Sequence, residues 1–214
     1  MNRRILVINP NSNEAFTAAM DRSVERLRFA GGPEIDCRTL AEGPFGIETA
    51  RQSQELIPSL YRLIEREKDN CDAFIIACFS DPGVVGAREF SARAVIGLCE
   101  AGVASALSFG ERYGILTNLD DDINGELRLL RTLGLEARLA GIEAVGIKVP
   151  DLVDTPEVLE ALLAGARRLE QRGARVIVLG CAGMTPFAQR LRQETGLWII
   201  DPLMSAVGLA TATV

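Results

Sequence analysis

Cys78 and Cys181 are the residues whose surroundings most resemble those of working groups. Each closes an apolar run, Ile75-Ile76-Ala77 before the first and Val178-Leu179-Gly180 before the second. Small or polar residues follow, then a proline preceded by Asp81 or Thr185. An apolar run bounded by turn signals reads as a buried strand. Asp81-Pro82 and Thr185-Pro186 read as an N-cap with proline at the first helical position. Both thiols are thereby expected at the carboxyl end of a strand, just ahead of a helix. An open parallel sheet binds its ligands there, and a helix N-terminus favours a thiolate. The two cysteines lie about half the chain apart, which suggests two related lobes that each bring one thiol to a shared cleft.

A thiolate on one face of an acidic C–H and a thiol on the other could move a proton across a planar carbanion. Racemisation would then need neither metal nor organic cofactor. An unperturbed cysteine titrates near pKa ~8.5, so a modest depression makes it a base at neutral pH. The chain has no histidine, which excludes Ser-His-Asp and Cys-His catalysis. Zinc sites draw on histidine and paired cysteines, and no CxxC pair is present; no metal site is expected. Cys37, Cys71 and Cys99 read as core residues, because cysteine usually behaves as a small buried hydrophobe. Asp81 reads as a cap rather than an acid catalyst, and Asp120-Asp121-Asp122 as a solvated helix start. Glu100 suits a cap, a solvated site or the cleft. Asn9, Ser80 and Thr117 stand in turns, where they could cap, turn or bind.

Strands and helices that could hold these residues alternate along the chain. Residues 4–8 read as a strand ending in Asn9-Pro10-Asn11, and Ser12 or Asn13 caps a helix to about Leu27. A strand at 34–40 follows, a loop at 41–47, and a helix at 48–67 that Pro58 kinks or breaks. After the Cys78 strand come a helix to about Arg93, a strand at 94–97 and a helix at 100–109. The pattern restarts with a strand at 112–117, a helix from 120–122 to Leu133, a strand at 136–140 and a helix from Thr155-Pro156 to about Gln171. The Cys181 strand, a helix to about Glu194, a strand at 197–200 and a helix from Pro202 complete it. Strands alternating with helices imply parallel sheets covered on both faces. The expected fold class is α/β, with residues 1–97 plus 202–214 as the first lobe and 98–201 as the second.

Hydrophobic residues make up 48% and charged residues 24% of the 214, ordinary for a globular protein. The net charge of −6 argues against nucleic acid as a partner, since phosphate binding needs a basic face. The N-terminal Met1–Ile5 stretch lacks a signal-peptide pattern, and no apolar run reaches the roughly 18 residues of a membrane span. A cytoplasmic protein is expected, with a small-molecule substrate and further copies of itself as partners, and neither nucleic acid nor membrane.

The chain resembles the Asp/Glu racemase superfamily, and within it the hydantoin and allantoin racemase branch. The likeness rests on Val7-Ile8-Asn9-Pro10-Asn11-Ser12, Gly43-Pro44 with Ile47-Glu48, Ala77-Cys78-Phe79-Ser80-Asp81-Pro82-Gly83, Ala87-Arg88-Glu89, Val95-Ile96-Gly97 with Glu100-Ala101, Leu179-Gly180-Cys181-Ala182-Gly183-Met184 and Ile200-Asp201. It implies two α/β lobes related by a pseudo-twofold with the active site in the cleft between them, a cofactor-independent two-base mechanism, and Cys78 and Cys181 as catalytic residues. It also implies substrate contacts at Asn9, Ile47, Phe79, Ser80, Thr117, Gly183 and Met184. The branch usually has glycine at the position of Ser80, and Ser-Ile-Glu-Gly where this chain reads Gly46-Ile47-Glu48-Thr49. The presence of both cysteines disfavours the arylmalonate decarboxylase branch, which is similar in fold but keeps only the second.

An aspartate or glutamate substrate needs cations for two carboxylates, and neither cysteine loop nor the Asn9 and Thr117 turns contain Lys or Arg. A neutral cyclic ureide suits such surroundings better, so the expected reaction is racemisation of a 5-substituted hydantoin or of allantoin. Aspartate or glutamate racemisation, maleate-type cis–trans isomerisation and a binding protein without turnover are the alternatives.

Overall fold

The computed structural model describes residues 3–214; Met1 and Asn2, on which the signal-peptide reading begins, lie outside them. Among the described residues there are two four-stranded sheets, parallel throughout, each flanked by helices. Packing divides the chain into one unit that runs to Ala101 and takes in Leu203–Val214, and another of Gly102–Pro202.

In the first unit, β1 (Arg4–Asn9) is followed by α1 (Glu14–Val24) and β2 (Glu34–Thr39). Asn13 caps α1 by accepting from Ala15 N and Phe16 N, and residues 25–27 tighten into a 3-10 turn. The expected 48–67 helix is two helices, α2 (Ala50–Glu55) and α3 (Ile57–Glu67), with the break at Leu56 and Pro58 in the first turn of α3. β3 (Ala73–Ile76), α4 (Val84–Phe90), β4 (Ala94–Gly97) and α5 (Leu98–Ala106) follow, the last of which runs on into the second unit from Gly102. The sheet order is β2-β1-β3-β4. Phe74, Ile75 and Ile76 of β3 are all fully buried, as a strand covered on both faces must be. Leu60, Leu63 and Ile64 of α3 pack with Leu6, Ile8, Phe74 and Ile76.

The second unit repeats this plan with β5 (Tyr113–Thr117), α6 (Asp120–Thr132), β6 (Leu139–Ala144), α7 (Pro156–Gln171), β7 (Val176–Leu179), α8 (Ala188–Thr195) and β8 (Trp198–Ile200), in the order β6-β5-β7-β8. α9 (Pro202–Thr213) follows and from Leu203 onward belongs to the first unit. The strand expected at 136–140 begins later: residues 136–138 form a 3-10 turn, and pairing of Leu139 with Tyr113 starts β6. Thr155 caps α7 as expected, accepting from Val158 N. No described helix is long and apolar enough to cross a membrane.

Both proline turns differ from their sequence reading. α4 starts at Val84 behind Gly83, whose φ is 71°, so Asp81 does not cap it. Residues 182–187 form a 3-10 helix that contains Pro186, and α8 begins only at Ala188. In each case further residues separate the strand from the α-helix: Pro82 and Gly83 precede α4, and the 3-10 helix precedes α8.

Each of the two sheets extends its ladder by one bond past the last paired residue: Ala77 N donates to Ile8 O at 2.8 Å and Gly180 N to Leu116 O at 2.6 Å. At Gly180 this approach leaves no room for a side chain, since a Cβ would stand 2.5 Å from Leu116 O. Gly180→Ala is expected to cost about 1–3 kcal/mol, the usual penalty of overpacking, read as a lower urea midpoint at unchanged slope. A variant as stable as the parent would show that the β5–β7 approach is not tight.

Candidate active site

Topology selects the site within each unit. In the order β2-β1-β3-β4 the connections diverge between β1 and β3, and in β6-β5-β7-β8 between β5 and β7. Ligands of open parallel sheets bind outside the carboxyl ends of the strands at such a switch point. Ile8 pairs with Ile76 and Leu116 with Leu179. Asn9 and Thr117 are therefore equivalent, and so are Cys78 and Cys181, each two residues past its strand. Four of the residues singled out in the sequence thus occupy the two switch points, in like pairs.

Around the first switch point, Asn9 is buried and serves its own turn. Its Nδ2 donates to Asn11 Oδ1 and Thr17 Oγ1, both at 2.9 Å, and to Asn13 O at 3.2 Å, while its Oδ1 accepts from Asn11 N at 3.2 Å. Cys78 is half-buried, and its Sγ lies 3.3 Å from Ser80 Oγ. Ser80, exposed, is in turn 2.9 Å from Ser53 Oγ on α2. Phe79 is buried. Ile47 packs on the apolar cluster that backs β1 and β3, at the end of a loop tied to the Asn9 turn through Ser12 N to Pro44 O at 2.9 Å.

Asp81 has a task that sequence reasoning did not find. Its Oδ1 accepts from Cys99 N and its Oδ2 from Glu100 N, both at 2.9 Å, at the start of α5. The residue is half-buried but its carboxyl group points inward. Burial pushes that carboxyl up to about 7, against the two N–H donors; the charge of Glu100 adds to the rise and that of Arg88 opposes it. Arg88 closes the assembly by donating to Glu100 Oε2 at 2.6 Å and Val95 O at 2.9 Å.

Around the second switch point, Cys181 is buried and its Sγ accepts from Gly183 N at 3.4 Å, so the thiol itself caps the 3-10 helix of residues 182–187. Met184 is buried and Gly183 half-buried. Thr117 is buried and donates to Glu126 Oε1 on α6 at 2.5 Å. Glu126 is enclosed, and its Oε2 has no hydrogen-bond partner among the described residues. Burial pushes this carboxyl up to about 8, with Thr117 opposing and Asp122 adding. Nothing in the sequence marks Glu126 or Ser53, which are polar residues on helices among other polar residues. Of the remaining thiols, burial lifts Cys37 to about 12 and also raises Cys71, which keeps both protonated near neutral pH. Among the described residues no three Cys, Asp or Glu side chains converge as metal donors.

Several known proteins are similar to this chain. The family model of Asp/Glu/Hydantoin racemase matches residues 5–210. A hydantoin racemase of Paenarthrobacter aurescens is 34% identical over 99% of this chain and 91% of its own length. One of Rhizobium meliloti is 32% identical over 97% and 87%. The structure of allantoin racemase from Klebsiella pneumoniae superposes with a TM-score of 0.90 at 30% identity, covering 99% of this chain and 87% of that one.

The raised pKa of Glu126 has a consequence for stability. Unfolded, a glutamate titrates near 4.5; folded, this one holds its proton to about 8. The stabilisation is present below the unfolded value and is lost as pH rises through the folded one, each unit of separation being worth about 1.4 kcal/mol. Urea unfolding at pH 5 and pH 9 should show a smaller loss of stability in Glu126→Gln than in the parent. Parallel losses would mean that the carboxyl ionises freely.

Proposed function

The chain belongs to the Asp/Glu/Hydantoin racemase family and is an isomerase of the racemase type; from that premise we propose that it inverts C5 of a 5-substituted hydantoin or of allantoin, without a cofactor, using Cys78 and Cys181 as opposing bases. One thiolate takes the C5 proton and becomes a thiol, leaving a carbanion delocalised into the neighbouring ring carbonyl. The opposite thiol delivers its proton to the other face and becomes the thiolate. Total charge and proton count are unchanged, but the thiol and thiolate have exchanged places; loss of the captured proton to solvent and uptake of another at the opposite sulfur reset the pair for the same enantiomer. The reading requires both sulfur atoms to flank one substrate carbon.

The observation that carries it is the equivalence of the two cysteines: each stands two residues past the switch-point strand of its own sheet, one residue beyond the position that faces Asn9 or Thr117. The chain has no histidine, the side chain whose ordinary pKa suits proton transfer near neutral pH. A neutral ring rather than a dicarboxylate is supported by the commitments of nearby cations. Arg88 is held by Glu100 and Val95 O, and Arg51 pairs with Glu55 in solvent. The ring's N–H and carbonyl groups instead suit the hydroxyls, amides and backbone groups at the strand ends.

An optically pure 5-substituted hydantoin, incubated with the protein in D2O, should lose optical rotation while deuterium enters C5. Removing a general base typically costs about 10²–10⁴-fold, so Cys78→Ala and Cys181→Ala should each reduce racemisation by that order. Undiminished racemisation in either variant refutes the two-thiol mechanism. Activity on aspartate or glutamate, with none on the ureides, refutes the substrate class.

A further inference from the structure

The loop that carries Cys78 is fastened at a point remote from its own helix. Asp81 adopts a left-handed backbone, φ 48°, a conformation that non-glycine residues rarely take unless other contacts compel it. Here the contacts are its carboxyl group's bonds to Cys99 N and Glu100 N. The carboxyl fills the space that a side chain at residue 97 would need; a methyl added to Gly97 would overlap it. Asp81 N, in turn, donates to Cys78 O at 3.1 Å. The path from the seat over Gly97 to the thiol residue is thus a carboxylate, one turn of backbone and a hydrogen bond.

The second unit places its acid differently. Ile76 pairs with Gly97 in β4, and continuing the β7–β8 register past Val178 and Ile200 sets Leu179 against Asp201. The position equivalent to Gly97 is itself acidic there, while the residue equivalent to Asp81 is Met184. In the first unit the acid comes from the cysteine loop, and its hold on α5 is therefore also a hold on the thiol residue.

We propose that Asp81, seated over Gly97, is a positioning residue that aims Cys78 at the substrate carbon. The proposal rests on the reading of Cys78 as one of the two bases. A misplacement of about 1 Å can cost on the order of 10²-fold in rate, so Asp81→Ala should lower kcat by roughly 10–100-fold with KM changed less. Gly97→Ala, which leaves Asp81 in the sequence but evicts its carboxyl, should reproduce that loss. Asp81→Asn keeps one acceptor and should recover part of the rate; it also covers the case in which the alanine variant does not fold. The discriminating readout is the iodoacetamide alkylation rate at each cysteine, followed by peptide mass spectrometry on the native full chain. The Cys78 rate should change in both Asp81→Ala and Gly97→Ala while the Cys181 rate stays constant.

Thr155→Ala, which removes the α7 cap and typically costs about as much as other lost caps, is the control for destabilisation alone. Equal kcat losses in the control and in Gly97→Ala, or unchanged Cys78 alkylation, would overturn the proposal. Because alkylation needs no turnover, it judges the tether even if the parent fails to racemise a hydantoin, an outcome that would instead remove the functional reading.

Discussion

Two backbone hydrogen bonds decide where Cys78 and Cys181 leave their sheets. Ala77 N to Ile8 O and Gly180 N to Leu116 O are the last rungs of their ladders, and each precedes a cysteine by one residue. They hold the chain in the sheet up to that rung, so the thiol residue is the first to leave it. Side chains alternate between faces along a strand, and a slip of one residue would exchange the side chains that β3 or β7 packs against its two covered faces. The full burial of Phe74, Ile75 and Ile76, and of Val176, Ile177, Val178 and Leu179, makes such a slip expensive. The position of each sulfur is therefore a consequence of core packing several residues away.

Much of this was legible because it is local. The apolar runs before Cys78 and Cys181, the Asn13 cap and the Thr155-Pro156 helix start all depend on near neighbours, and the structure has them where the sequence indicates. What was not legible depends on distant partners. Asp81 before Pro82 has the pattern of a local cap, yet its carboxyl caps α5, a helix that the chain reaches only after another helix and strand. Glu126 and Ser53 lie on helices whose polar residues look alike until Thr117 and Ser80 are brought against them. The late start of β6 is of the same kind: the alternation at 136–140 suits a strand, but pairing with Tyr113 begins at Leu139.

The two units agree in some respects and differ in others, and the division is informative. Sheet order, strand ends and thiol positions coincide. The companions do not: Asn9 is bound into its turn by four hydrogen bonds, whereas Thr117 leans on a buried carboxyl group. Cys78 stands by a pair of hydroxyls, whereas Cys181 accepts a backbone N–H. On the two-thiol reading this is the division that the reaction asks for. Two enantiomers share every atom of the ring and exchange only the hydrogen and the side group at one carbon. Groups that carry the proton must then be present on both faces in the same chemical form, while groups that hold the ring meet unlike edges and gain nothing from being alike. Duplication of the thiols without duplication of their surroundings is thus what a racemase of an unsymmetrical ring requires, and it follows from the substrate's geometry rather than from any symmetry of the protein.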